Sequence, residues 1–113
     1  MSIHDEELDP KSFQMLVTLA GGPRHGYAIR QEVEARTEGA VRLWPATLYG
    51  TLAELVDRGL IEETESPGGP DDDARRRYYA LTAAGRKLVA AEAARLEELA
   101  RLARRRLAYG GTR

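Results

Sequence analysis

Three arginines in a row, Arg75, Arg76 and Arg77, follow three aspartates, Asp71, Asp72 and Asp73, in the stretch DDDARRR. Adjacent guanidinium groups suit the neutralisation of backbone phosphates with release of counterions, and an arginine at a loop tip can also enter a minor groove. The competing interpretation is a loop whose acids cancel its arginines. A second stretch has the opposite character: in PATLYGTLAEL, residues Ala46, Thr47, Gly50 and Ala53 share a helix face without a charge, in a chain where 31% of residues are charged. Short uncharged side chains let a helix approach base edges and phosphates that carboxylates would repel. Glu54 and Asp57 come later, away from the positive end of the helix dipole. The bland alternative is a solvated face that happens to be small. Nothing points to catalysis: there is no Ser/His/Asp grouping, HExxH or glycine-rich phosphate loop, and GGP and PGGP read as turns. With no cysteine, and only His4 and His25 as neutral nitrogen ligands, neither a metal nor a cofactor is expected.

These residues need elements to hold them, and 113 residues allow one compact domain. Net charge is −1, so any nucleic-acid role rests on where the charges lie. The acidic start MSIHDEELDP is the opposite of a secretory signal, and no apolar run approaches the ~20 residues of a membrane span. A reducing cytoplasm is the expected location. KSFQMLVTLA predicts a first helix over 11–20 with Phe13, Leu16, Val17 and Ala20 on one face. HGYAIRQEVEARTEG predicts a second over about 25–37, with Tyr27 or Ala28, Ile29, Val33 and Thr37 at helical spacing. Pro45 suits the first position of a third helix, 45–58, whose stripe is Leu48, Leu52, Leu55 and Val56 and whose terminator is Gly59. LIEETES and RYYALT then predict two strands around the loop 66–77, with Tyr79 and Leu81 inward and Tyr78 outward. Thr82 is placed to cap a last helix of about 25 residues, ~37 Å long.

The expected class is therefore mainly α with a β-hairpin (α+β): a winged helix-turn-helix followed by a long carboxy-terminal dimerisation helix. The expected segments are a flexible acidic 1–10, a winged-helix domain 11–82, a dimerisation helix 83–108 and a flexible tail 109–113. HGYAI, TLYGTLAELVDRGLIE and RRRYYALTAAGRKL together resemble the PadR family of bacterial transcriptional regulators, over about residues 12–90. The single helix after the wing is similar to the family's short subgroup. Trp44 stands where the family often has a small residue, and reads as a packing wedge more than a ligand platform, though a dimer cavity could expose it.

The resemblance implies a homodimeric regulator, expected to be a repressor, that binds double-stranded DNA at a palindromic operator through helix 45–58 and wing 66–77. The expected DNA surface is His25, Tyr27, Ala46, Thr47, Tyr49, Gly50, Thr51, Arg75, Arg76, Arg77 and Tyr78. Tyr49 sits at the edge of the apolar stripe, either packed with its hydroxyl outward or donating to phosphate. On the last helix, Leu88, Leu96, Leu99, Leu102, Ala103 and Leu107 form an uneven stripe broken by Glu92 and Arg95, suited to a second copy. Some short members of the family are thought to bind flat hydrophobic compounds between such helices. A small hydrophobic effector is weakly supported here, because this helix has no Trp or Phe. The alternative function is a winged-helix module that binds protein without specific DNA binding.

Overall fold

The computed structural model describes residues 8–66 and 77–110. In chain order the elements are α1 (Pro10–Ala20), β1 (Arg24–His25), α2 (Gly26–Arg36), α3 (Pro45–Asp57), β2 (Ile61–Thr64), β3 (Tyr78–Leu81) and α4 (Ala83–Gly110). The expected hairpin is present, with Ile61 opposite Leu81 and Thr64 opposite Tyr78. A third strand, β1, was not expected. It pairs antiparallel with β3, Arg24 opposite Tyr79 and His25 opposite Tyr78, giving the sheet order β1-β3-β2.

Asp9 starts α1 by accepting the Ser12 N–H at 2.8 Å, and Pro10 follows it where a missing N–H costs nothing. These two residues are thus part of the folded domain and not of a flexible leader. Burial pushes the Asp9 carboxyl up, but the bonds from Ser12 and Lys11 outweigh it and hold the group below the usual aspartate range. The buried face of α1 is Ser12, Met15, Leu16, Thr18 and Leu19. Of the expected face only Leu16 is buried; Phe13 and Val17 are half-buried and Ala20 is exposed. The reason is that Met15 and Leu19 join Leu16 in the core, which turns the buried face by one residue. On this side Arg36 of α2 donates to the Gln14 carbonyl at 2.9 Å, to Gln14 Oε1 at 3.0 Å and to Thr18 Oγ1 at 3.1 Å, a clasp that the sequence did not suggest.

The core gathers Met15 and Leu16 from α1, Ile29 and Val33 from α2 and the α3 leucines against Tyr79 and Leu81, which point inward as their alternation requires. Thr82 caps α4. Its hydroxyl donates to the Gly59 carbonyl at 2.6 Å and accepts the Gly85 N–H at 3.0 Å, tying the start of α4 to the end of α3. Gly85 lies so close beneath the Leu60 carbonyl that a Cβ there would collide with it. Leu88 and Val89 are the last α4 side chains packed against the core. Leu88, expected at a dimer interface, is half-buried against the domain's own core. From Ala90 onward α4 is largely exposed, and its 28 residues span about 42 Å. Among the described residues, no helix is long and apolar enough to cross a membrane.

Candidate nucleic-acid interface

Helix α3 begins at Pro45 with Trp44 as N-cap, and its first turn contains no acid. Leu48, Leu52 and Leu55 are buried, which turns Ala46, Thr47, Gly50 and Ala53 outward. A Cβ added at Gly50 would meet nothing within 4 Å. The uncharged face expected from the sequence therefore stands clear of the rest of the domain. Thr51 departs from expectation. It is only 6% exposed, because it lies three residues from Leu48 and four from Leu55 on the buried side, out of reach of a duplex.

Tyr49 takes a third position between the two left open by its spacing. Its ring covers Gly26 at the start of α2, so that a Cβ on Gly26 would lie 3.0 Å from Cε1 and 3.2 Å from the hydroxyl, yet the side chain is 53% exposed. A larger residue at Gly26 would have to push the Tyr49 ring aside by a few tenths of an ångström. Next to it, His25 Nδ1 accepts the Ala28 N–H at 3.1 Å as the N-cap of α2. That bond assigns the neutral ring's proton to Nε2, a donor on the other side of the imidazole. The His25 ring meets Tyr78 edge-on, centroids 5.4 Å apart, as their strand pairing requires. Tyr27, one residue into α2, is 56% exposed. His25 and Tyr78, expected on one surface from separate stretches, thus touch, and Tyr49 lies over Gly26, the residue after His25.

Of the wing, Arg75, Arg76 and the three aspartates lie outside the described residues. Arg77 is exposed and stands 3.9 Å from Glu63 on the neighbouring strand, an ion pair too solvated to be strong. Tyr79, just inside it, has its phenol pushed up by burial and by Glu63, with Arg77 partly opposing both. Glu62, Glu63 and Glu65 leave this edge of the hairpin locally acidic.

Trp44 is not the packing wedge expected, since it is 58% exposed, and what supports it leaves no mark in the sequence. Its indole lies with its ring centroid 5.8 Å from the Arg30 guanidinium carbon, and Arg30 Nε donates to Glu34 Oε2 at 3.1 Å. That bond, before other influences, keeps Glu34 below the usual carboxylate range. No helical or strand period could signal this, since it joins a loop residue to another element. On α4, Leu96, Leu99, Leu102, Ala103 and Leu107 are all exposed. Glu92 and Arg95, which interrupt their stripe, satisfy each other in a two-pronged bond of 2.8 and 2.7 Å.

A model of the transcriptional regulator PadR-like family matches residues 15–91. An uncharacterized 37.1 kDa protein in transposon TN4556 of Streptomyces fradiae is 44% identical over 82 residues, 71% of this chain; the chain spans about a fifth of that relative's length, 21%. Among solved structures, a transcriptional regulator from Clostridium thermocellum is similar in fold, with a TM-score of 0.68 at 23% identity over 84% of this chain and 87% of the other. RosR of H. salinarum gives a TM-score of 0.63 at 29% identity over 76% and 71% of the two chains.

Proposed function

Because the chain belongs to the PadR-like family, whose members are transcriptional regulators and not enzymes, we propose that it represses transcription as a homodimer bound to a palindromic operator. The observation that carries this reading is the acid-free face of α3, with Ala46, Thr47 and Gly50 standing away from the core. A helix with such a face can enter a major groove without desolvating a carboxylate beside phosphate. His25, Tyr27, Tyr49 and Tyr78 flank it with groups able to donate to phosphate oxygens, and the arginines 75–77 supply the positive charge that α3 lacks.

The homodimer is inferred from α4, whose exposed leucines extend far past the domain's own core. Burying apolar surface at about 25 cal/mol per Å² favours a second copy of the same helix. A twofold axis through paired α4 helices would present two copies of α3 to two half-sites, as a palindrome requires. The deciding experiment measures binding to duplexes from the DNA flanking its gene. One dimer per palindrome, with much weaker binding to scrambled sequence, is expected. Equal affinity for both would remove the operator from this account.

The reading as a protein-binding winged helix has one observation in its favour, the pairing of Arg77 with Glu63. It predicts no salt-dependent binding to any duplex.

A further inference from the structure

Trp44 is the chain's one tryptophan, and it is 58% exposed although Leu43 beside it is fully buried. The indole is held in place and not loose. Pro45 holds the backbone of Trp44 itself extended, and Arg30 stands against the ring at 5.8 Å. Glu34 Oε2 both accepts from Arg30 and takes the Leu43 N–H at 3.4 Å, so one carboxylate fixes both the cation and the loop that carries the ring. Because Arg30 is paired with Glu34, the group backing the indole brings no unmatched charge. Tyr27, one turn before Arg30 on α2, is also exposed, and neither α2 nor α3 has an acid in its first turn.

We propose that Trp44 is a DNA-contacting residue, laid against the sugar-phosphate backbone where α3 enters the groove, with its indole N–H donating to a phosphate oxygen and Arg30 supporting the ring. The proposal rests on the reading of α3 as the groove helix. Backbone is favoured over base edges by position: Trp44 precedes the helix, at its rim, while Ala46, Thr47 and Gly50 occupy the outward face itself. A flat ring with one polar edge suits a surface that alternates apolar sugars with charged oxygens. A second copy has its own exposed face on α4, a different element.

The test uses the full chain, exciting at the red edge of absorption so that only the indole emits. A duplex carrying the flanking palindrome and a scrambled duplex are added in turn, and acrylamide quenching is measured. Quenching should fall about twofold with either DNA as the apolar ring is covered. Trp44→Phe, which keeps a ring but loses the N–H, should weaken binding of both duplexes about tenfold per subunit and so about a hundredfold for a dimer, the effect of losing one hydrogen bond to a charged group in each copy. Its salt slope should match the parent's, because no cation is lost. Unchanged quenching in a complex that demonstrably forms, or parental affinity in Trp44→Phe, overturns the proposal. Protection that appears on raising protein concentration without DNA also overturns it, in favour of a second copy. If the parent binds neither duplex, the groove reading of α3 fails first and takes this proposal with it.

Discussion

Single side chains decide whether α3 can meet a duplex, and Gly50 is the most direct of them. Its position has open space around it, so Gly50→Glu adds a carboxylate to the proposed DNA face without disturbing a neighbour. Glutamate is also the better helix former by roughly 0.5 to 1 kcal/mol. The variant should therefore melt no lower than the parent and lose operator binding in an anisotropy titration. A folded variant with parental affinity would place the outward face of α3 off the DNA. That Ala46, Thr47, Gly50 and Ala53 face outward was legible from the sequence, because leucine spacing fixes which side of a helix is buried and small uncharged residues then mark the other. Thr51 was not. Its angular distance from the stripe is small enough for the core to claim it, whatever its polarity. Tyr49 also escaped a firm assignment, since nothing in helical spacing reveals that Gly26 of another helix leaves room for its ring.

The elements stand on their caps, and the carboxylate that caps α1 ties its contribution to pH. Asp9 accepts from the Ser12 N–H and holds its carboxyl below the usual aspartate range, so the folded chain releases this proton more readily than the unfolded one. Its contribution is complete above the unfolded value of about 3.9 and is lost as pH falls through the lower folded value. Asp9→Ala should cost about 1 kcal/mol in urea unfolding at neutral pH, with the difference from the parent closing in strong acid. A difference that persists there would mean that Asp9 acts through something other than its charge. The helices and the hairpin were readable because Pro45, Gly59 and Thr82 punctuate them and the period changes from helical to alternating between 60 and 82. The α1 face was misjudged by one residue position, since Ser12 and Thr18 look solvent-facing by type but are buried, Thr18 with its hydroxyl bonded to the Gln14 carbonyl. Strand β1 is two residues long, too short for any period to register.

At the scale of the whole molecule, two copies joined through α4 would set both α3 helices on one stretch of DNA. Leu96→Glu with Leu99→Glu should give a monomer in sedimentation with the melting temperature of the domain little changed, because neither leucine packs against the core. A variant that stays dimeric would move the contact elsewhere. Leu88 is unsuitable for this test, since it serves the core as well. The central claim, that this dimer binds duplex DNA by neutralising its phosphates, is tested most directly by the salt dependence of operator binding. The logarithm of affinity should fall steeply with the logarithm of salt concentration for the parent, each phosphate contact contributing about 0.9 to the slope. Replacing Arg75, Arg76 and Arg77 by Ala should flatten that slope by roughly 3 to 4 for a dimer losing two contacts per subunit. Affinity that does not change with salt in the parent protein would contradict the account and favour a protein-binding winged helix.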